Sequence, residues 1–145
     1  VSSTVEVAEA VEAAINAATF SLTPDNVVRS YFPIQELKDI GTDLTLNIVT
    51  GDRERERSNR SQIREEVTVS VSVEQKLAGR TNAIIDPLIA LTEEIEDELE
   101  GRLTTTGGLD CHWIKTEPVI PWSYDILKKE GLYFSISKFT YRIIR

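Results

Sequence analysis

Few residues in this chain are equipped for bond-making chemistry. Cys111 and His112 are its one thiol and one imidazole, and a thiolate–imidazole pair is the nucleophilic arrangement they would build. They are adjacent, however, inside a stretch that reads as a β-strand. Neighbours along a strand point to opposite faces, which excludes the pair on geometry. The plainer reading is a small buried thiol beside a solvent-facing ring. A single cysteine also rules out a cysteine-based zinc site and any disulfide within the chain. Gly107-Gly108 follows Thr104-Thr105-Thr106 but has neither the lysine nor the spacing of a phosphate-binding loop, and reads as a flexible turn. No HExxH, GxSxG or GxGxxG pattern occurs. Carboxylates are abundant but cluster along a helical face, which is how solvated acids are arranged. Few enzyme mechanisms survive this inventory; a small cytoplasmic enzyme with a carboxylate metal site stays open as a minor alternative to the expectation of no catalysis, no cofactor and no metal.

Charge is the more informative signal. The chain carries a net charge of −8, whereas a protein built to neutralise phosphates needs a basic face. Yet Arg53, Arg55, Arg57, Arg60 and Arg64 crowd into one segment, interleaved with Glu54 and Glu56. That segment has a net charge of +3, so the rest of the chain carries −11. Three readings are open: contact with a partner protein, a solvated hairpin tip, and contact with nucleic acid. The interleaved glutamates weaken the last, as does the lack of aromatic rings on which single-stranded bases would stack. The opposite charge lies on Glu93, Glu94, Glu96, Asp97 and Glu100, an acidic face that is either solvated or a second contact surface.

At 145 residues the chain is expected to form one domain, 1–145, with 51–66 as an extended loop. An apolar content of 41% with 28% charged residues is ordinary for a globular domain and argues against wholesale disorder. No apolar run approaches the roughly 18 residues of a membrane span. The first residues lack the basic and apolar regions of a signal peptide, so none is expected, and a start at Val1 reads as removal of an initiator methionine.

The elements that must position these residues follow from periodicity. Ser3 to Ala18 reads as a helix, with Ser3 and Glu6 at capping-box spacing and Val7, Val11 and Ile15 on an apolar stripe. Val27 to Phe32 and Leu44 to Thr50 read as strands, with a short helical turn over Gln35 to Ile40. Val67, Val69, Val71 and Val73 alternate with Thr68, Ser70, Ser72 and Glu74, which predicts a strand with one covered and one wetter face. Between these strands, Gly51 to Glu66 is too long for a tight turn and reads as a protruding hairpin extension or a mobile loop. Thr81 to Leu103 reads as a second helix with Ile84, Leu88, Leu91, Ile95, Leu99 and Leu103 on one side, starting early and accommodating Pro87. Leu109 to Ile120 and Leu132 to Ile144 are the last strands, separated by a helical turn over Asp125 to Glu130. The closing strand, apolar on both faces, suits an interior position or a subunit contact. The fold class expected is α+β: two layers, a mainly antiparallel sheet with two amphipathic helices on one face, and a long protruding Arg-rich hairpin loop.

This order resembles the tail terminator, or tail completion, proteins of long-tailed bacteriophages. The resemblance rests on soft patterns spread over nearly the whole chain. They are the alanine-rich first helix, the segment Tyr31-Phe32-Pro33-Ile34-Gln35-Glu36-Leu37-Lys38-Asp39, the polar Arg-containing loop, the alternating valine strand and the acidic helix. The last is Tyr124-Asp125-x-Leu127-x-x-x-Gly131-Leu-Tyr-Phe-Ser, leading to Thr140-Tyr141-Arg142. Related neck and head–tail adaptor proteins share the general appearance. The resemblance implies a structural virion protein without catalysis, assembled in the host cytoplasm into the tail or neck of a virion. It would form a ring, as a hexamer, at the head-proximal end of the tail, stop polymerisation of the tube and offer a docking surface to the head. Its partners would be copies of itself, the tail tube protein and the head–tail connector or neck proteins. DNA would pass through a neutral or negative lumen without specific binding, and no membrane would be involved. A closing ring needs two different complementary edges on each subunit. The arginine segment and the acidic helix face are candidates for them, with Trp113, Trp122, Tyr133 and Phe139 as possible apolar anchors. A nucleic-acid-associated accessory protein using the arginine segment is the competing expectation.

Overall fold

The computed structural model describes residues 3–31, 41–57, 59–79, 81–120 and 131–144, with the backbone alone for residues 119 and 120. The helical turns expected over 35–40 and 125–130, most of the 31–39 segment, Tyr124 and Trp122 lie outside the described residues. The elements in chain order are α1 (Ser3–Ala17), β1 (Asn26–Ser30), β2 (Thr45–Arg57), β3 (Ile63–Lys76), α2 (Asn82–Leu99), β4 (Arg102–Thr104), β5 (Asp110–Ile120) and β6 (Leu132–Ile144). The strands form one six-stranded sheet in the order β1-β2-β3-β6-β5-β4. β1 runs parallel to β2, and every other neighbouring pair is antiparallel.

The period-2 pattern of the strands and the period-3.6 pattern of the helices meet in one core. Leu46 and Ile48 of β2, the four alternating valines of β3, Cys111 of β5 and Tyr133, Phe139, Tyr141 and Ile143 of β6 all point to the same side. Val7, Ala8, Val11 and Ile15 of α1 and Leu88, Leu91, Ile95 and Leu99 of α2 cover them. The alanines of α1 let that helix sit close to the sheet. Three hydrogen bonds tie α2 to β6: the Tyr141 hydroxyl donates to the Leu99 carbonyl at 2.6 Å, Thr92 and Tyr133 share one at 2.8 Å, and the Ser137 hydroxyl donates to Glu96 at 3.0 Å. The α+β class with both helices on one face is thus the architecture observed, and β6 is interior, between β3 and β5.

Several local expectations differ. α2 starts early and carries Pro87 inside it, as its periodicity predicts, but ends at Leu99. Leu103, the expected last member of its stripe, lies instead in the short edge strand β4 paired with Cys111. The backbone leaves the helix at Glu100, whose ψ is 79°, and the three-residue strand is too short to show a period of its own. The Ser3–Glu6 capping box is replaced by a longer-range contact, because the Ser3 hydroxyl donates to the Glu65 carboxylate at 2.6 Å. The far face of the sheet is not uniformly wet. Ser72 and Glu74 are buried there, since the ladder sets Ile136 opposite Ser72 and Phe134 opposite Glu74, and apolar cross-strand neighbours shield short polar ones.

Candidate protein-interaction surfaces

The arginine segment is largely continuous β-ladder. β2 runs on to Arg57 and β3 begins at Ile63, with pairs Arg53↔Val67, Glu54↔Glu66, Arg55↔Glu65, Glu56↔Arg64 and Arg57↔Ile63. Between Thr50 and Arg53 the register shifts by one residue, so Gly51 and Asp52 face Thr68 as a β-bulge. A side chain at position 51 would run into the Thr68 hydroxyl and backbone carbonyl, which is why glycine stands there. Thr68 fixes the bulge, its hydroxyl accepting from the Asp52 N–H at 2.8 Å.

The bulge sorts charge. Without it, arginines 53, 55 and 57 would fall on the face away from the helices, in phase with Val49. The one-residue insertion turns them to the helix side, in phase with Val67 and Glu65, and leaves Glu54 and Glu56 on the far face beside Arg64 and Glu66. On the far face Arg64 pairs with Glu56 at 2.8 Å and Arg142 with Glu66 at 3.1 Å, and a depression at this end of the ladder is lined by Glu54, Arg55, Glu56, Arg64 and Glu66. On the helix side, Arg53 lies 3.8 Å from Glu65, a fully buried carboxylate that already accepts from Ser3. Arg55 and Arg57 are exposed and have no acidic partner among the described residues. Arg60, at the tip, is exposed as well.

Glu65 is a residue that sequence reasoning passed over. The phase of Val67 to Val73 runs back to position 65 and marks it as inward-facing, which was the available signal. It ties the root of the extension to the first turn of α1.

On α2 the acids divide. Glu94 accepts from the Ser21 hydroxyl at 2.7 Å, and Glu96 accepts from Ser137 at 3.0 Å. Glu96 is held above the ordinary carboxylate range by burial, partly offset by Ser137 and reinforced by the charges of Glu100, Glu93 and Asp97. Glu93, Asp97 and Glu100 are exposed and fall within about 60° of one another around the helix. The expected acidic face therefore holds three outward carboxylates of the five named, with Asp86 exposed farther along the same stripe.

The expected anchors separate too. Tyr133 and Phe139 are wholly buried in the chain's own core. They are aromatic residues of a central strand under a helix, and no surface of theirs is left for a partner. Trp113 is 36% exposed, its indole N–H donating to Thr116 at 2.9 Å. Cys111 is buried, and burial first, then the nearby acids Asp110 and Glu6, raise its thiol to about 11. His112 is exposed on the opposite face. Gly108 takes a positive φ of 84° in the turn between β4 and β5, where its N–H donates to the Thr105 carbonyl at 2.9 Å. Among the described residues no three Cys, His, Asp or Glu side chains converge as a metal site, and no helix is long and apolar enough to cross a membrane.

No family model matches this chain, and neither does any curated protein sequence. Among solved structures, a chain described as "Virion of native gene transfer agent (GTA) particle" superposes with a TM-score of 0.59 at 18% identity, covering 97% of this chain and 96% of that one. The two chains share a fold. The likeness spans nearly the whole of both chains. At that identity it is a statement about architecture, and the charged surfaces are this chain's own.

Proposed function

We propose that this protein is a structural component of a phage-like virion and acts as a tail terminator. In this reading six copies form a ring at the head-proximal end of the tail. The ring ends polymerisation of the tail tube protein and presents its other side to the head–tail connector or neck proteins. No bond is made or broken, no cofactor or metal is used, and DNA passes through without specific binding. The protein acts within the tail or neck of the particle, after assembly in the host cytoplasm. The observation that carries the reading is the end-to-end fold likeness to a chain of a virion particle.

The surface is consistent with self-assembly. A ring requires heterologous contacts, in which each subunit shows two unlike faces, and this chain separates a cationic extension from an anionic helix. The division of charge sets register and disfavours wrong pairings more than it adds affinity. The net charge of −8 suits a lumen through which DNA must slide, because an excess of fixed cations would hold phosphates.

Removing the gene from the producing particle tests the proposal. The expected result is tails of uncontrolled length that fail to join heads. Particles with joined tails of normal length would contradict it.

A further inference from the structure

The bulge at Gly51-Asp52 does more than bend a strand. It places three successive arginines on one side of an extended ladder, about 7 Å apart from one to the next. The acids opposite them are unavailable or elsewhere: Glu65 is buried on Ser3 and Arg53, and Glu54 and Glu56 face the other way. Arg55 and Arg57 are left exposed, without an anionic partner among the described residues. β1 pairs only with Thr45 to Val49 of β2, so among the described residues no strand pairs with this edge of the row.

The same molecule carries an equally uncompensated anionic stripe. Glu93, Asp97 and Glu100 project from α2 with a rise of about 10 Å from first to last. None of them has a cationic partner among the described residues. The arginine row spans about 14 Å from Arg53 to Arg57, so flexible guanidinium arms can reach every carboxylate of such a stripe. No ion pair joins the two surfaces within one chain among the described residues.

We propose that the arginine row of one copy docks on the Glu93–Asp97–Glu100 stripe of α2 in a second copy. This rests on the ring reading above and assigns one of its contacts. The occupant is a second copy of this chain because both complementary surfaces are built into one sequence and, among the described residues, Arg55, Arg57 and the three carboxylates have no partner of opposite charge. Two unlike surfaces of one protomer then meet head to tail, as a closing ring requires.

Charge reversal tests the pairing on the full chain, with association followed by sedimentation velocity and native mass spectrometry. Reversing the row (Arg55→Glu with Arg57→Glu) is expected to weaken self-association tenfold or more, and so is reversing the stripe (Glu93→Arg with Asp97→Arg). Combining all four is expected to bring association back to within threefold of the unaltered chain. The neutral pair Arg55→Ser and Arg57→Ser, with a circular dichroism check, guards against misfolding of the reversed forms and should weaken association less than reversal does. An unaltered chain that forms rings unaffected by either reversal, or a fourfold variant that fails to recover, overturns the pairing and leaves the ring reading standing. An unaltered chain that stays monomeric at every concentration, with or without tail tubes, overturns both.

Discussion

The two halves of the β2–β3 ladder are made by the same pair of strands and have opposite chemistry. In the inner half, Leu46, Ile48 and the alternating valines face two helices and form the core. In the outer half, beyond the bulge at Gly51, nearly every side chain is charged and no residue of β2 is buried. The β-ladder runs through both, interrupted at the bulge. The contrast separates what a strand needs in order to form from what it needs in order to stabilise a fold. The inner half contributes apolar burial, about 25 cal/mol for each Å² removed from water. The outer half is carried by its attachment to the inner one and is free to be selected for contact. Exposed charge along the outer part of β2 also blocks the indiscriminate edge pairing that a flat apolar strand would invite.

The comparison makes graded claims. Leu46→Ala, in the inner half, should cost about 2–5 kcal/mol, as truncations in a packed core do, measured by urea denaturation. A loss below 1 kcal/mol would mean that the inner half does not carry the fold. Gly51→Val, at the boundary, should cost about 1–3 kcal/mol, because the new side chain meets Thr68 and the strand must shift to relieve the clash. It should also disturb the arginine row, which amide chemical shifts at 53–57 would reveal.

Glu74, on the inner half's far face, gives a smaller effect of opposite sign. Burial raises its carboxyl above the ordinary value, partly offset by the Ser72 hydroxyl, and its Oε2 has no hydrogen-bond partner among the described residues. A carboxyl raised in the folded state binds its proton more tightly there than in the unfolded chain. Its contribution to stability is thus fully present below the unfolded value near 4.5 and is lost as pH rises through the folded one. Glu74→Gln should therefore stabilise the protein at pH 7 by about 1 kcal/mol and flatten the fall in stability between pH 4 and 7. Denaturant midpoints across that range check both. Smallest of all, Arg55→Ser with Arg57→Ser should change stability by no more than about 0.5 kcal/mol, as surface substitutions do. A loss as large as that at Leu46 would erase the distinction between the two halves.

The sequence was readable where one periodicity ran unbroken. The valine strand, the apolar stripe of α2 with Pro87 inside it, and the apolar closing strand each announced type and place, and with them the class of fold. Legibility ended where geometry depends on a single insertion. Nothing in the spacing of Arg53, Arg55 and Arg57 says which side of a sheet they face, because the bulge that decides it is a property of pairing with Thr68. Tyr133 and Phe139 misled for a related reason: aromatic residues serve cores and interfaces alike, and their place under α2 follows from tertiary order. Ser3 lay beside a plausible local partner, Glu6, and took a distant one, because Glu65 is buried and a buried carboxylate must be hydrogen-bonded.

The central claim, that this chain works by fitting against copies of itself at the end of a tube, is tested most directly by negative-stain electron microscopy of the purified protein mixed with isolated tail tubes and free tube subunits. The account predicts rings seated at one end of the tubes and no further growth from that end. Tubes that keep lengthening at both ends, beside a protein that remains monomeric, would contradict it.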